Sequence, residues 1–420
     1  MTGVADVDVQ DRPDVFGTLP LKRQLRRSRR MEQLKSAALV APLFLFLLAT
    51  FIVPIGSLLT RGILDPEVSK TLPRVTATLA DWDGRDLPSE AAFAALIADL
   101  RAAREAGTLA SPATRLNYDV NGFRSLMFSA ARRLPAQLTE SARDTLIAID
   151  PKWGERETWA AIHRARGPLT DFYLLAGVDL RHDVDGGIER APSEQAVFVD
   201  VLLRTFRISF VVTLICLLLG YPLAYLAASL PPRRANLLLL FVLLPFWTSL
   251  LVRTAAWVVV LQREGIVNSM LLGLGVIGEP LPMIFNRFAV YVAMVHILLP
   301  FMVLPLYSVM RSVPPVYARA AASLGAAPFT VFRRVYLPQT LPGISAGCLL
   351  VFVQALGYYI TPALVGGAED QMISYLIAFY ASRTINWGMA AALSILLLGS
   401  TLVLCAVYGK LVGFERIKAT

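Results

Sequence analysis

An all-α polytopic membrane protein with six transmembrane helices and a mainly helical insert on the outer side is the architecture this sequence specifies. Three observations carry that reading. The mean hydropathy is +0.57 and 55% of the 420 residues are apolar. Only 17% are charged, against roughly a quarter in ordinary soluble domains. The apolar residues are also gathered into stretches of about 20, the length a helix needs to cross the hydrocarbon core. These features exclude a disordered chain, a coiled coil and a nucleic-acid arm, despite a net charge of +9. A closed β-barrel would show short alternating segments instead.

Taken in order, residues 1–35 form a basic leader with Lys22, Arg23, Arg26, Arg27, Arg29, Arg30 and Lys35. The segment 36–60 holds the first crossing, Ser36–Leu59. It begins deep in the chain and lacks a small-residue cleavage site, so it reads as a retained anchor rather than a signal peptide. Residues 61–198 form the insert, and 199–412 a five-helix core. The core crossings are Val201–Ala228, Ala235–Leu261, Phe288–Met310, Leu341–Val365 and Trp387–Val412, followed by a tail at 413–420. Orientation follows from the short flanks. The leader shares its side with Arg233, Arg234, Arg311, Arg319, Arg333, Arg334, Lys410, Arg416 and Lys418, while the opposite short loops are near neutral. Both termini are therefore expected in the cytoplasm. The leader needs no role beyond setting topology, with no nucleic-acid partner and only membrane lipid beside it.

The insert is polar: residues 61–195 carry 17 Lys+Arg and 20 Asp+Glu, a net −3 that leaves +12 on the rest of the chain. Helical apolar spacing recurs at Phe93, Ala94, Leu96, Ile97 and Leu100, and at Leu126, Met127, Ala130 and Leu134. Trp82, Trp153, Trp159, Phe172 and Tyr173 are available to fill a small core. Turns are expected at Asp150-Pro151, Gly167-Pro168 and Gly186-Gly187. The block is long enough to fold as a domain.

Between the fourth and fifth crossings lies the loop 311–342. Pro315 is placed to open a short helix, where its missing N–H costs little. The run Ala320-Ala321-Ala322 gives that helix a narrow face for a close partner, and Gly325 is placed to end it. A second basic amphipathic helix follows, which Pro338 and Pro342 are expected to stop before the membrane. The result is a helix-turn-helix lying on the cytoplasmic face.

These residues resemble the EAA loop in the membrane subunits of binding-protein-dependent ABC importers. In that family a Glu-Ala-Ala triplet, a Gly four residues after its last Ala and a later Leu-Pro define the loop. Ala320, Ala321, Gly325, Leu337 and Pro338 fall on those positions, while Arg319 stands where the family usually has Glu. The resemblance covers residues 200–412 and is closest to the spermidine/putrescine type of permease. It rests further on the runs Leu244–Trp257, Gly357–Gly367 and Asn386–Ala392. It implies a type I ABC importer permease fold in a bacterial inner membrane. It also implies two partner ATPase subunits and a second permease subunit, expected to be a different chain. A periplasmic binding protein would deliver the solute. The coupling residues it implies are Arg319, Ala320, Ala321, Leu324, Gly325 and Pro338. No G-x-x-x-x-G-K-[ST] phosphate loop occurs, so the chain is expected to be a transport subunit rather than an enzyme.

No Asp or Glu lies inside the six crossings, so recognition of a polycation there would fall to aromatic faces. Trp247, Trp257, Tyr358 and Tyr359 qualify, and helix packing or an interfacial belt accounts for them equally well. Arg253 is a lone charge well inside a crossing. It fits a functional role, snorkelling, or pairing with a partner's acid, and it keeps an organic anion such as a phosphonate open as the solute. Gln354 lies mid-span beside Gly357, and Thr361-Pro362 is expected to break the helix near its outer end. Trp247, Arg253, Gln354, Tyr358 and Tyr359 therefore mark the expected translocation path. His296 reads as a helix–helix hydrogen-bonding group. No catalytic residue, cofactor or metal site is expected: Cys216, Cys348 and Cys405 sit in apolar runs, and His163 and His182 lack ligand spacing. A secondary transporter would need midplane ionisable groups for ion coupling. An intramembrane enzyme would need a nucleophile with its base or a metal cluster.

Overall fold

A computed structural model describes residues 35–36, 38–135, 137 and 141–412. The leader cations Lys22–Arg30, and Arg416 and Lys418 of the tail, lie outside the described residues. Among the described residues five helices are long and apolar enough to cross a membrane, and a sixth crossing is made if one bent pair is counted as a single span. The chain divides into two compact units, Met1–Leu58 and Leu59–Thr420. The first contains most of α1 (Ala38–Thr60, mean hydropathy 2.6). Ahead of Pro54 this helix widens into a π turn over Leu48–Ile52, and the Val53 N–H reaches back to the Leu48 carbonyl. Such a turn gives the proline ring the room that a regular i→i−4 ladder denies it.

In the second unit the insert is built from short helices, among them Glu90–Glu105, Ala110–Asp119, Phe123–Arg133, Arg156–Arg164 and Phe172–Gly177. An antiparallel hairpin, β1 (Leu180–His182) with β2 (Ile188–Arg190), pairs Arg181 with Glu189. Phe93, Leu96, Leu100, Leu116, Met127, Trp153 and Trp159 are fully buried in one cluster. The Phe93 and Trp153 rings lie 4.4 and 5.9 Å from that of Trp159, and the Trp159 indole donates to the Trp153 carbonyl at 2.9 Å. Trp82 packs on the edge of this core. Phe172 and Tyr173, expected inside it, instead leave it and join a cluster with Phe198, Ile373, Met389 and Leu393 of the membrane bundle.

The bundle consists of α2 (Phe198–Ser229), α3 (Pro232–Trp247), α4 (Leu250–Leu261), α5 (Ile266–Gly273), α6 (Arg287–Ser312), α7 (Pro315–Ser323), α8 (Pro328–Gly357), α9 (Ile360–Val365), α10 (Ile373–Ser382) and α11 (Trp387–Val412). At its centre is α6, with α2 and α8 packed against it. Apolar attraction between helices is weak in lipid, so close approach through small residues matters. Met302 of α6 fills the gap left by two glycines: a Cβ on Gly220 of α2 would lie 2.9 Å from its Cγ, and one on Gly347 of α8 would lie 2.8 Å from its sulfur.

Three expectations need correction. The third crossing is not one helix over Ala235–Leu261: Pro232–Trp247 and Leu250–Gly273 meet at 97°. Pro245 starts a tight turn, Thr248 and Ser249 are extended, and the Ser249 hydroxyl accepts the Val252 N–H at 3.2 Å to start α4 afresh. Pro338 and Pro342 do not stop the loop's second helix, which runs on into the fifth crossing as α8. A π turn over Phe332–Tyr336, closed by the Leu337 N–H on the Phe332 carbonyl, absorbs Pro338 as the earlier one absorbs Pro54. Finally, Thr361-Pro362 does not break the fifth crossing. The break lies at Tyr358-Tyr359, and Pro362 sits in the first turn of α9, where no N–H is needed.

The insert grips the bundle at two points. The Asp179 carboxylate accepts the backbone N–H groups of Phe198 and Val199, each at 2.9 Å, and so caps the start of α2. Asp65 and Arg115 form a buried ion pair, the Tyr173 hydroxyl donates to Asp65 at 3.1 Å, and Arg115 lies 4.2 Å over the Phe172 ring. The Tyr173 ring occupies the space that a Cβ on Gly388 of α11 would need.

Candidate functional site

Two regions hold the residues singled out by sequence. The first is the loop around α7, at the bundle end away from the insert. Pro314 is extended and Pro315 opens the helix, none of whose residues is buried. Gly325 takes φ +83°. With it, the Ala326 N–H bonds the Ala321 carbonyl at 3.1 Å and the Gly325 N–H bonds that of Ala322 at 2.9 Å. This is the Schellman closure, which requires a left-handed residue at the glycine position. Arg319, Ala320 and Gly325 are exposed, and so is Pro338, which lies within α8 just past its π turn. Leu324 is 89% exposed and Phe329 70%, so the loop tip presents apolar side chains to its surroundings.

Beneath α7 lies a cavity of about 370 Å³ walled by Tyr225, Met310, Arg311, Tyr317, Tyr336 and Gln339. Arg311 donates to the Ala228 carbonyl at 2.9 Å and to that of Leu230. A cation thereby satisfies carbonyls that the end of α2 leaves open. The Tyr225 and Tyr336 rings meet edge-on at 5.4 Å. Packed side chains thus connect α7 with α2, α6 and α8. Sequence reasoning used Arg311 only as a topological charge; its capping role depends on a carbonyl 83 residues away.

The second region lies at the bend between α3 and α4. Arg253 is half-buried, its Nε has no hydrogen-bond partner among the described residues, and its guanidinium carbon lies 5.9 Å from the Phe246 ring. The Trp257 indole donates to His296 Nδ1 at 3.2 Å, so the imidazole joins α4 to α6. Thr254 and Thr361, both fully buried, share a hydroxyl contact at 3.2 Å that joins α4 to α9. The structure therefore gathers Arg253, Trp257 and Tyr358 around His296, Thr254 and Thr361. It leaves Trp247 (77% exposed) across the bend, and Gln354 and Tyr359 on exposed positions. The pairing of these threonines escapes the sequence, because nothing local marks a hydroxyl pair 107 residues apart. The helix break frees carbonyls, and that of Leu356 accepts from the Ser374 hydroxyl at 2.6 Å. Among the described residues no three His, Cys, Asp or Glu side chains gather as metal ligands.

Residues 220–409 match the family described as "Binding-protein-dependent transport system inner membrane component". The chain is similar to the Spermidine/putrescine transport system permease protein PotB of Escherichia coli (strain K12), with 40% identity over 201 residues, covering 48% of this chain and 73% of that protein. It is similar also to the Molybdenum transport system permease protein ModB of Mycobacterium bovis, with 31% identity over 207 residues, covering 49% and 75%. Among solved structures, a chain of a bacterial alginate ABC transporter in complex with alginate pentasaccharide-bound periplasmic protein overlays with a TM-score of 0.45 at 19% identity, covering 53% of this chain and 80% of that one. The matched family segment begins after the insert ends.

Proposed function

The chain belongs to the family of binding-protein-dependent transport system inner membrane components, and from that premise we propose that it forms the membrane path for a polyamine of the spermidine/putrescine class. It is a multi-pass membrane permease subunit of an ABC importer. The observation that carries the solute class is the 40% identity to a spermidine/putrescine permease over 201 residues. The observation that carries the coupling is the exposed, Schellman-closed helix α7. In this reading, Ala320, Ala321, Leu324 and Gly325 seat a separate ATPase subunit. Arg319 replaces the contact that a family Glu would make, and Pro338 lies just past the π turn of α8 behind them. ATP-driven closure pushes α7, and the tyrosine-packed contacts pass the motion to α2, α6 and α8 as a rigid-body tilt.

The same proposal places both termini and α7 in the cytoplasm and residues 61–198 outside, where the insert receives a solute-binding protein. Two ATPase subunits and a second, different permease chain complete the assembly. Arg253, Tyr358, Tyr359, Trp247 and Gln354 line the path, with Trp257 and the tyrosines offering cation faces. Purification of the full chain in mild detergent tests the assembly: an ATPase and a second permease should accompany it. Proteoliposomes holding that assembly and its binding protein should accumulate spermidine only when ATP is supplied. Uptake without any ATPase would instead establish a secondary transporter.

A further inference from the structure

A permease for a polycation whose crossings hold no carboxylate beyond Asp200, which sits in the first turn of α2 and is paired with Arg204 at 2.6 Å, must gather the charge elsewhere, and the insert offers a place. A cleft of about 710 Å³ opens between the insert and the adjoining rim of the bundle. Its walls carry Asp119, Glu155, Glu157, Asp183 and Glu189, together with the rings of Tyr118, Phe172 and Tyr380. Two of the three wall cations are already neutralised: Arg164 pairs with Asp119 at 2.9 Å and Arg181 with Glu189 at 2.7 Å. Among the described residues Glu155 and Glu157 make no ion pair, and the Asp183 carboxylate has only the neighbouring Val184 N–H as a hydrogen-bond partner, at 2.7 Å. Three carboxylates thus face one remaining cation, Lys152. An independent observation also points to a missing donor. The Asp119 side chain is 11% exposed, and while Oδ1 is held by Arg164, Oδ2 is buried with no hydrogen-bond partner among the described residues.

We propose that this cleft is an outer holding site for a linear polyamine, with ammonium groups on Glu155, Glu157 and Asp183 and the alkyl chain and further ammonium charge on Tyr118 and Tyr380. The inference rests on the polyamine reading given above. The chemistry fits: separated carboxylates match separated amines, and aromatic faces accept both methylene and cationic groups. A free solute anion is disfavoured, because the unpaired wall charge is negative. The cleft is bounded by Phe198 at the start of α2, Tyr380 of α10 and Met389 near the start of α11, so a bound solute waits where crossings begin.

The test is equilibrium binding of radiolabelled spermidine to the detergent-solubilised complete transporter in the absence of its binding protein. Wild type should bind saturably. Glu155→Gln/Glu157→Gln/Asp183→Asn, isosteric changes at exposed positions, should weaken binding by about tenfold or more. Tyr118→Ala/Tyr380→Ala should weaken it as well, whereas Glu155→Asp/Glu157→Asp should largely retain it. Wild-type affinity in the triple variant, or loss of affinity only for the binding protein, overturns the cleft while leaving the polyamine reading intact. If the wild-type transporter with its binding protein fails to import spermidine, the polyamine reading falls first and the cleft assignment falls with it.

Discussion

Gly325 offers a graded probe of coupling. Its φ of +83° lies in the left-handed region, and a Cβ there would meet nothing within 4 Å. A substitution at this position is therefore a conformational perturbation free of steric collision. For Ala the left-handed conformation costs about 1–2 kcal/mol, which lowers the population of the closed loop end by roughly 5–30-fold. Asn tolerates that conformation better. If the Schellman closure holds α7 in its coupling pose, ATP-driven uptake in proteoliposomes should fall in the order Gly, Asn, Ala. The ATPase activity of the complex should persist while transport per ATP declines. Gly273→Ala serves as the control, since that glycine has neither a positive φ nor a neighbour within 4 Å. Equal uptake by Gly325→Ala and wild type, or equal losses for Asn and Ala, would show that the left-handed turn is irrelevant to coupling.

Further outcomes follow from the packing and the charges. Gly347→Val should overpack Met302 at a cost of about 1–3 kcal/mol, read as a lower thermal transition in detergent, and Met302→Ala should relieve it in part. Asp65→Asn should destabilise the insert by about 3–5 kcal/mol, because Arg115 is left buried without its anion; adding Arg115→Met should recover much of the loss. Burial, with Arg166 and Arg164 close by, holds the His163 imidazole below its ordinary value of 6.5. A depressed value means the folded state resists protonation, so this stabilising contribution is present above pH 6.5 and is lost as the pH falls through the depressed value. Melting curves of wild type should therefore drop on acidification through that range more steeply than those of His163→Gln.

Apolar run length made the crossings legible, because a membrane demands long segments whatever the tertiary context. Run length carries no information on where a ladder is interrupted. Apolar residues continue through Thr248-Ser249, and the 97° bend there depends on a hydroxyl cap. Proline reads locally as a stop at 338 and 342, yet a π turn over Phe332–Tyr336 accommodates Pro338 and the helix continues through Pro342. The buried tryptophans of the insert were legible from composition. The departure of Tyr173 from that core was not, because Asp65, Arg115 and Gly388, which hold it, come from three distant segments. In the membrane region Arg253 announced itself as a lone charge. The hydroxyl pair Thr254–Thr361 and the Trp257–His296 bond are invisible without the fold that brings α4 against α6 and α9.

The most direct test places a photoreactive cross-linker at Leu324, the 89% exposed residue at the tip of the coupling loop, in the full chain within its native membrane. Illumination should yield an adduct with an ATP-hydrolysing subunit, and a membrane-impermeant reagent applied from outside should fail to reach the site. An absent ATPase adduct together with labelling from the outside would contradict both the coupling role and the orientation assigned to this chain.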